Sequence, residues 1–310
     1  MKHALMAGAV AALLVVAGCG GDDDDGVQAT AAGERAGTYT AVSDVAQHAA
    51  IGRDIADIKA LLEPAGEGGD ADFEQVGEIW SEGRHSRKSD GSARTLAGFA
   101  EGTEIAARVE DAIAGEGEAA DLDPAQRRQW IDKGISAALA LKVLGELDAA
   151  AEKVEAGETD PEEGAPHNVD EAWAFYEAEG NGLASTAQKR AADFGLEGEV
   201  HEAVIAALVE AQDAAKAGDA EALARAREDV RGALNRIFAL AVKKYLVEGA
   251  DDEVAAAEGL AFSWGLQGIS DEVRAKIEAG FGGDAEAAAE ALDQAAGDLG
   301  LDGPVPDYEG

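Results

Sequence analysis

Carboxylates and a histidine at helical spacing are the first residues of this sequence that could do chemistry. Glu74, Glu78 and Glu82 recur every four residues, so they share one face of a predicted helix. His85 follows Glu82 at a three-residue step that turns both groups toward one ion. Because oxygen ligands suit hard cations such as Ca²⁺, Mn²⁺ and Fe³⁺, Glu78, Glu82 and His85 are candidate metal ligands. The alternative is a solvated acidic helix face.

Two further carboxylates begin similar five-residue elements, Glu171-Ala-Trp-Ala-Phe175 and Glu258-Gly-Leu-Ala-Phe262. The aromatic residues are expected in the core, which places both carboxylates close to it. Since a buried carboxylate is unfavourable unless it is paired or binds a metal, Glu171 and Glu258 are also candidate ligands. The alternative is an acid near a helix N-terminus that faces the helix dipole or an arginine. Asp44 and His48 share a face of the first predicted helix, where either is a surface residue or a ligand.

The segment from Arg84 to Arg94 carries four of the 25 basic residues of a chain with 63 acidic ones. With its serine hydroxyls and a helix predicted to start near Ser92, it is a candidate anion site on Lys88 and Arg94. An anion such as carbonate beside a ferric ion would need such a place. Alternatively, these cations neutralise neighbouring carboxylates.

Several classes of function are disfavoured. No nucleophile elbow, phosphate-binding glycine loop or paired-cysteine motif is present, so the protein is predicted not to be an enzyme. The single cysteine excludes an intrachain disulfide and a cysteine-built zinc or iron–sulfur site. The net charge of −38 makes nucleic acid and anionic lipid surfaces poor partners for the body of the protein.

The N-terminus predicts export. The apolar run from Ala4 to Ala17 is too short for a membrane-spanning helix of about 20 residues and is typical of a signal peptide. It ends in Val-Ala-Gly-Cys19, which resembles the bacterial lipobox, whose cysteine receives lipid chains such as palmitate and becomes the first mature residue. Residues 1–18 are therefore predicted to be a lipoprotein signal peptide. The alternatives are a plain secretory signal with an incidental cysteine, or a buried helix.

The mature chain is expected to be anchored to the membrane by lipid at Cys19. The lipobox resemblance implies at least two acyl chains, and two or more anchor a protein stably. Residues 19–38 combine glycines with a run of four aspartates and cannot bury enough surface to fold. They are predicted to form a flexible acidic tether that holds the domain on the extracytoplasmic side of the membrane.

From Tyr39 onward the pattern predicts an all-α, bundle-like fold. Apolar residues recur at three- and four-residue steps, no stretch alternates with period two, and only 5% of residues are aromatic. Gly157 to His167 is predicted to be a loop. Helices are predicted up to Pro64, at 72–82, from Ser92, and at 124–155, 169–180, 184–194, 197–216, 219–248, 251–265, 270–280 and 284–298.

The chain also resembles itself. The stretch 73–99 matches 169–194 at an offset of 95–96 residues, and a long Ala/Leu-rich helix follows each copy. This predicts two tandem helical halves, residues 39–158 and 159–310. An interface between such halves is a common place for a ligand site.

The stretch from Phe73 to Phe99, above all His85-Ser-Arg-Lys-Ser-Asp-Gly-Ser-Ala-Arg-Thr-Leu-Ala-Gly-Phe99, resembles the low-iron-inducible periplasmic iron-assimilation proteins of green algae and their bacterial lipoprotein relatives. The Ala-Phe-Tyr176 element and the duplicated halves add to the resemblance. It implies iron capture outside the cytoplasm. It assigns no individual ligand, so the ligand candidates rest on chemistry alone.

The leading hypothesis is a surface lipoprotein that binds iron, with Fe³⁺ favoured and a synergistic anion on Lys88 and Arg94, and that supplies an iron permease. Its proposed ligands are Glu78, Glu82, His85, Glu171 and Glu258. The alternative is a structural or interaction lipoprotein without a small-molecule ligand, whose acidity is a salt-adapted solvation shell.

Overall fold

A computed structural model describes residues 39–310, which form packed α-helices. Within that range no strand forms, and one isolated antiparallel bridge joins Arg87 to Ala93. The predicted all-α class is confirmed. The predicted signal peptide and tether, with Cys19, lie outside the described residues. The helices are α1 (Ala46–Ala49), α2 (Ile51–Gly66), α3 (Phe73–Glu82), α4 (Glu104–Ala114), α5 (Pro124–Glu155), α6 (Ala165–Glu177), α7 (Leu183–Asp193), α8 (Glu199–Ala217), α9 (Ala220–Glu248), α10 (Glu253–Ser263), α11 (Asp271–Gly280) and α12 (Ala285–Gln294).

Part of the acidity of the chain fixes helix starts. In α3, α5, α9, α10 and α12 an aspartate side chain before the first turn accepts a hydrogen bond from a backbone N–H of that turn. In α5, Asp123 and Gln126 form a reciprocal capping box, and Pro124 takes the first helical position. None of the helices in residues 39–310 is both long and apolar enough to cross a membrane.

Helix α5 lies at the centre of the fold, where it packs against α2, α4, α6, α9 and α10. Trp130 of α5 meets Trp264, next to α10, edge to face with ring centroids 5.1 Å apart. One buried core contains residues from both sides of position 158. The division into halves 39–158 and 159–310 stays a prediction, and α5 of the first half packs on α6 and α10 of the second.

The segment between α3 and α4 corrects the prediction of a helix starting near Ser92. The side chain of Asp54 is fully buried, and its Oδ1 accepts the backbone N–H groups of Arg84 and His85 at 3.1 and 3.0 Å. Lys88 then donates its N–H to the carbonyl of Ser92 at 2.9 Å and closes a turn. The helix prediction is wrong because this buried carboxylate and turn hold the chain in an irregular loop.

Helix α6 ends in a strained turn. Ala178 and Glu179 have φ angles of 41° and 50°, which are uncommon for residues with a side chain. Helix α2 packs directly on this turn at Gly52, where a Cβ atom would overlap the carbonyl of Ala178. Arg53 donates two hydrogen bonds of 2.8 Å to the carboxylate of Glu179. Helix α2 is thereby fixed to the end of α6.

The last residue of α6 allows a test of this packing. Oε1 of Glu177 is buried and finds no hydrogen-bond partner among residues 39–310. Burial raises the pKa of Glu177 from 4.5 to about 7. The fold therefore favours the protonated form, and stability that is present below pH 4.5 is lost as the pH rises through about 7.

We expect Glu177→Gln to raise the free energy of unfolding by ~1–3 kcal/mol at pH 8 and to change it little near pH 4.5. Urea unfolding at both pH values measures the effect. A gain of equal size at both would show that ionisation of Glu177 does not destabilise the fold.

Candidate metal centre

Three side chains turn their ligating atoms toward one point. Nε2 of His48 lies 3.0 Å from Oε1 of Glu171, and Nε2 of His167 lies 2.9 Å from the same oxygen. The two imidazole rings are 5.8 Å apart and close to perpendicular. The side chains are 11%, 15% and 21% exposed for His48, Glu171 and His167. The site is thus sheltered but open to a small ion.

Two helices supply these ligands. His48 lies on the short helix α1, which packs against α6. His167 and Glu171 are four residues apart on α6, so they share one helix face. Helix α6 begins early because Gly164 is extended at its N-cap and Pro166 occupies the first turn, where its missing N–H costs no helical hydrogen bond.

A second carboxylate, that of Glu146 on α5, lies next to the carboxylate of Glu171. It is buried, accepts a hydrogen bond of 2.7 Å from Nδ2 of Asn168, and pairs with Lys142 one turn earlier on α5. Burial and the nearby charge of Glu171 raise the pKa of Glu146 against the opposing effect of Lys142. Glu146 also makes a hydrogen bond with the carboxylate of Glu171.

The pKa of Glu171 moves the other way. Burial alone would raise it, but the hydrogen bond and charge of His48, the hydrogen bond from Glu146 and the charge of His167 outweigh burial and lower the pKa to about 2. Glu171 is therefore an ionised carboxylate over the whole physiological range. Such a group, held between two imidazoles, is a ready-made ligand for a cation.

An aromatic ring forms one wall of the site. Phe175 lies one helical turn after Glu171 and meets the His48 ring edge to face at 5.6 Å. Two cations lie near the same ring, the guanidinium of Arg94 at 5.8 Å and Nζ of Lys142 at 5.4 Å from its centroid. Burial lowers the pKa of Arg94, while the charges of Glu171 and Glu146 oppose that effect. Two carboxylates and two cations thus lie close to one another around Phe175.

The donor set fits a metal ion. Two ligand atoms about 2.1 Å from one ion and at right angles to each other lie roughly 3.0 Å apart, which matches both nitrogen–oxygen distances. Two imidazoles and one carboxylate are a known iron set, and zinc also accepts them. Nδ1 of His48 and Oδ1 of Asn168 are buried without a hydrogen-bond partner in the described part of the chain. Among residues 39–310, His48, His167 and Glu171 are the one group of three such side chains that converge.

Of the ligands predicted from sequence, the structure places Glu171 in this group and the other four elsewhere. Glu78 and Glu82 are exposed on α3. His85 is exposed, with Nε2 3.1 Å from a carboxylate oxygen of Asp57. Glu258 accepts a hydrogen bond of 2.6 Å from the Tyr245 hydroxyl and lies 3.3 Å from Nζ of Lys133.

The two predicted anion-binding residues also separate. Lys88 is exposed in the turn that it closes with Ser92. Arg94 lies at the site, where its Nη1 donates to the carbonyl of Arg87 at 2.7 Å and to the Ser86 hydroxyl at 3.2 Å. Only Arg94 therefore approaches the ligand cluster.

Sequence reasoning missed His167, Glu146 and Lys142, and left His48 open. A signal was present, because His167 and Glu171 have the i, i+4 spacing that joins ligands on one helix face. It was hidden because the loop was predicted to extend to His167, whereas α6 already begins at Ala165. Glu146 and Lys142 lie in the middle of a long helix, and only the packing of α5 on α6 reveals them.

The two Glu-x-x-x-Phe elements occupy similar surroundings. In each, two cations lie near the phenylalanine ring, Arg94 and Lys142 at Phe175, and Arg190 and Lys133 at Phe262. Both lysines belong to α5, against which α6 and α10 pack. The surroundings differ in one respect. Glu258 is balanced by Lys133 and bonded to Tyr245, with no histidine at hand.

Comparison with known proteins adds one finding. A family model described as a low iron-inducible periplasmic protein matches residues 10–251, about three quarters of the chain. His48, Glu146, His167 and Glu171 lie inside the match, and Glu258 lies beyond it. The resemblance inferred from the sequence is confirmed. No curated protein and no solved structure matches the chain.

The low pKa of Glu171 predicts the pH dependence of the metal-free protein. Because the folded-state pKa, about 2, is below the ordinary 4.5, ionised Glu171 contributes stability above pH 4.5 that is lost as the pH falls toward 2. We expect Glu171→Gln to lower the free energy of unfolding by ~1–3 kcal/mol at pH 6 and by much less at pH 3. Urea titrations of both proteins at both pH values measure it, with the exposed Glu78→Gln as the matched control. If the difference in the free energy of unfolding between wild type and Glu171→Gln is as large at pH 3 as at pH 6, the low pKa of Glu171 is contradicted.

Proposed function

We propose that this chain, which belongs to the low iron-inducible periplasmic protein family, binds iron outside the cytoplasm through His48, His167 and Glu171. The observation that carries the proposal is the convergence of three ligating atoms, all within 4.8 Å of one another, on a sheltered side of α6. The family description supports iron over zinc, since it links these proteins to iron shortage. The proposed role is capture and delivery, without a catalysed reaction.

The ferric ion is favoured by the second carboxylate. Glu146 supplies a second carboxylate beside Glu171, and its oxygens add to the negative charge that an approaching cation meets. Carboxylate oxygens are hard ligands, and two of them stabilise a trivalent ion more than a divalent one. Two imidazoles and two carboxylates would leave open positions for an anion or water.

The proposed delivery depends on the part of the chain before Tyr39. With residues 1–18 removed and Cys19 acylated, residues 19–38 would hold the domain near the membrane. The sequence pattern supports this anchor, and the family description supports an extracytoplasmic location. A membrane permease for iron is the partner that such a tethered binding protein would supply.

Metal titration tests the proposal. We expect metal-free protein, titrated by calorimetry with Fe³⁺ supplied as a nitrilotriacetate complex, to show one saturable site. We expect His167→Ala and Glu171→Gln each to weaken binding by at least roughly 10–100-fold, since each removes a ligand. Parallel titrations with Fe²⁺, Zn²⁺, Mn²⁺ and Ca²⁺ rank the ions.

The controls separate the two ligand sets. Glu258→Gln and the double variant Glu78→Gln with Glu82→Gln neutralise carboxylates that the structure places elsewhere, so iron affinity should be retained. A large loss in these variants would favour the ligands predicted from the sequence. If the wild type binds no iron and its melting temperature rises with NaCl but not with micromolar iron, the salt-adapted structural lipoprotein is the better description.

A synergistic anion is proposed on Arg94, whose half-buried guanidinium faces the site beside Phe175. We expect Arg94→Gln to reduce iron affinity roughly tenfold in bicarbonate buffer, because one charge-assisted contact is lost, and to have little effect without bicarbonate. Lys88→Gln on the exposed turn is the matched control. Equal losses with and without bicarbonate would contradict the anion and leave the iron site standing.

A further inference from the structure

We propose that Asp170 is a positioning residue that holds both histidine ligands in place for the ion. It precedes Glu171 on α6 and is fully buried. Its carboxylate has no contact with the three ligands themselves but binds the groups that hold two of them. The inference rests on the proposed iron site and names the residue on which the geometry of that site depends.

Five donors converge on the Asp170 carboxylate. Oδ1 accepts hydrogen bonds of 2.7 Å from the Tyr39 hydroxyl and from Nε2 of Gln212. Oδ2 accepts the backbone N–H groups of Val42 and Ser43, both at 2.8 Å, and the Ser43 hydroxyl at 2.7 Å. The carboxylate therefore ties the first described residues of the chain to α6 and α8.

The Ser43 hydroxyl links Asp170 to His167, because it is hydrogen-bonded to both side chains. Its one proton is donated to Asp170, so in its contact of 2.8 Å with Nδ1 of His167 the serine oxygen must accept. His167 then carries a proton on Nδ1, and its Nε2 is the atom that faces Glu171 and the ion. A hydrogen bond to the second ring nitrogen commonly fixes the tautomer and orientation of a metal-binding histidine.

His48 depends on the same carboxylate through the backbone. It lies on α1, a helix of four residues, which is too short to be stable by its own hydrogen bonds. The chain before it is anchored by the N–H groups of Val42 and Ser43 on Asp170. Asp44 then accepts the N–H of Ala46 at 3.0 Å and starts the turn. Without that anchor, the segment before His48 loses its backbone hydrogen bonds to α6, and α1 is held by its packing on α6 and by the bond of 2.7 Å from the Ser86 hydroxyl to the carbonyl of Gln47.

The isosteric change Asp170→Asn tests the inference directly. The new amide NH₂ group would replace one of the two carboxylate oxygens. The N–H and O–H groups that now donate to that oxygen would then face another donor instead of an acceptor. Ser43→Ala removes only the contact to His167, and Ser43→Thr restores a hydroxyl. Asp132→Asn is the matched control, because Asp132 is another sheltered carboxylate, but its partner is Lys133, at 2.6 Å, and not a group that holds a ligand.

We expect Asp170→Asn and Ser43→Ala to weaken Fe³⁺ binding at least tenfold in the calorimetric titration, with Ser43→Thr close to wild type and Asp132→Asn unchanged. Nitrogen-15 spectra of histidine-labelled, metal-free protein give a readout that stability does not move. In the wild type, Nδ1 of His167 should be protonated and hydrogen-bonded, and this signature should be lost in Ser43→Ala.

Iron affinity that is unchanged in Ser43→Ala and in folded Asp170→Asn would overturn the inference while leaving the iron site intact. An equal loss in Asp132→Asn would overturn it as well, because the effect would then be general destabilisation. If the wild type binds no iron, the proposed function fails. The positioning of His167 by Ser43 and Asp170 is then still decided by the nitrogen-15 spectra.

Discussion

The structure around the site follows from one constraint, which is that Glu171 is an ionised carboxylate largely withdrawn from solvent, with 15% of its side chain exposed. Its neighbour on the same helix face is Phe175, and burial of this kind is unfavourable unless charge and hydrogen bonds compensate it. The compensation comes from separate elements, namely His48 on α1, His167 on α6 and the hydrogen bond with Glu146 on α5. Each of these elements must be held where it is for the carboxylate to remain charged. The same arrangement leaves two imidazoles and a carboxylate directed at one point.

The fold stabilises a sheltered carboxylate in two similar places, at Glu171 and at Glu258, but with different partners. At Glu258 the compensating charge is internal, because Nζ of Lys133 lies 3.3 Å away and the Tyr245 hydroxyl donates at 2.6 Å. That carboxylate has its partners without any added ion. At Glu171 the compensation comes from imidazoles, which are weaker and exchangeable partners, because a neutral imidazole nitrogen can bind a metal instead. A repeated sequence element thus yields a closed ion network in one place and a candidate cation site in the other.

Sequence reasoning predicted what depends on local pattern. The all-α class followed from the periodicity of apolar residues. The family resemblance followed from the stretch between Phe73 and Phe99. Both predictions are confirmed. The helix near Ser92 was wrong, since nothing local announces that Asp54, far away in the chain, captures the N–H groups of Arg84 and His85.

The site itself was only partly predictable, through Glu171. A helix start placed four residues late hid His167, and the contact of α5 with α6 that brings in Glu146 and Lys142 is a tertiary fact. The buried role of Asp170 was equally invisible, because its partners Tyr39 and Gln212 lie more than 40 residues away on either side. Short-range motifs locate a ligand pair, but the groups that hold the pair come from packing.

The distribution of charge bears on how such a site would select its ion. Only a few charged side chains are buried, and acids such as Asp54 and Asp170 are among them as well as bases such as Arg190. Most of the acid excess behind the net charge of −38 therefore lies at the surface, where Glu78 and Glu82 are typical, and its field concentrates cations of every kind. Attraction of this type does not discriminate between ions. At the proposed site, an incoming ion would gain from the carboxylates of Glu171 and Glu146 and would have to tolerate the positive charges of Lys142 and Arg94. Because a more highly charged ion gains more from the two carboxylates at the same distance, this arrangement combines broad attraction with a local preference for an ion of high charge.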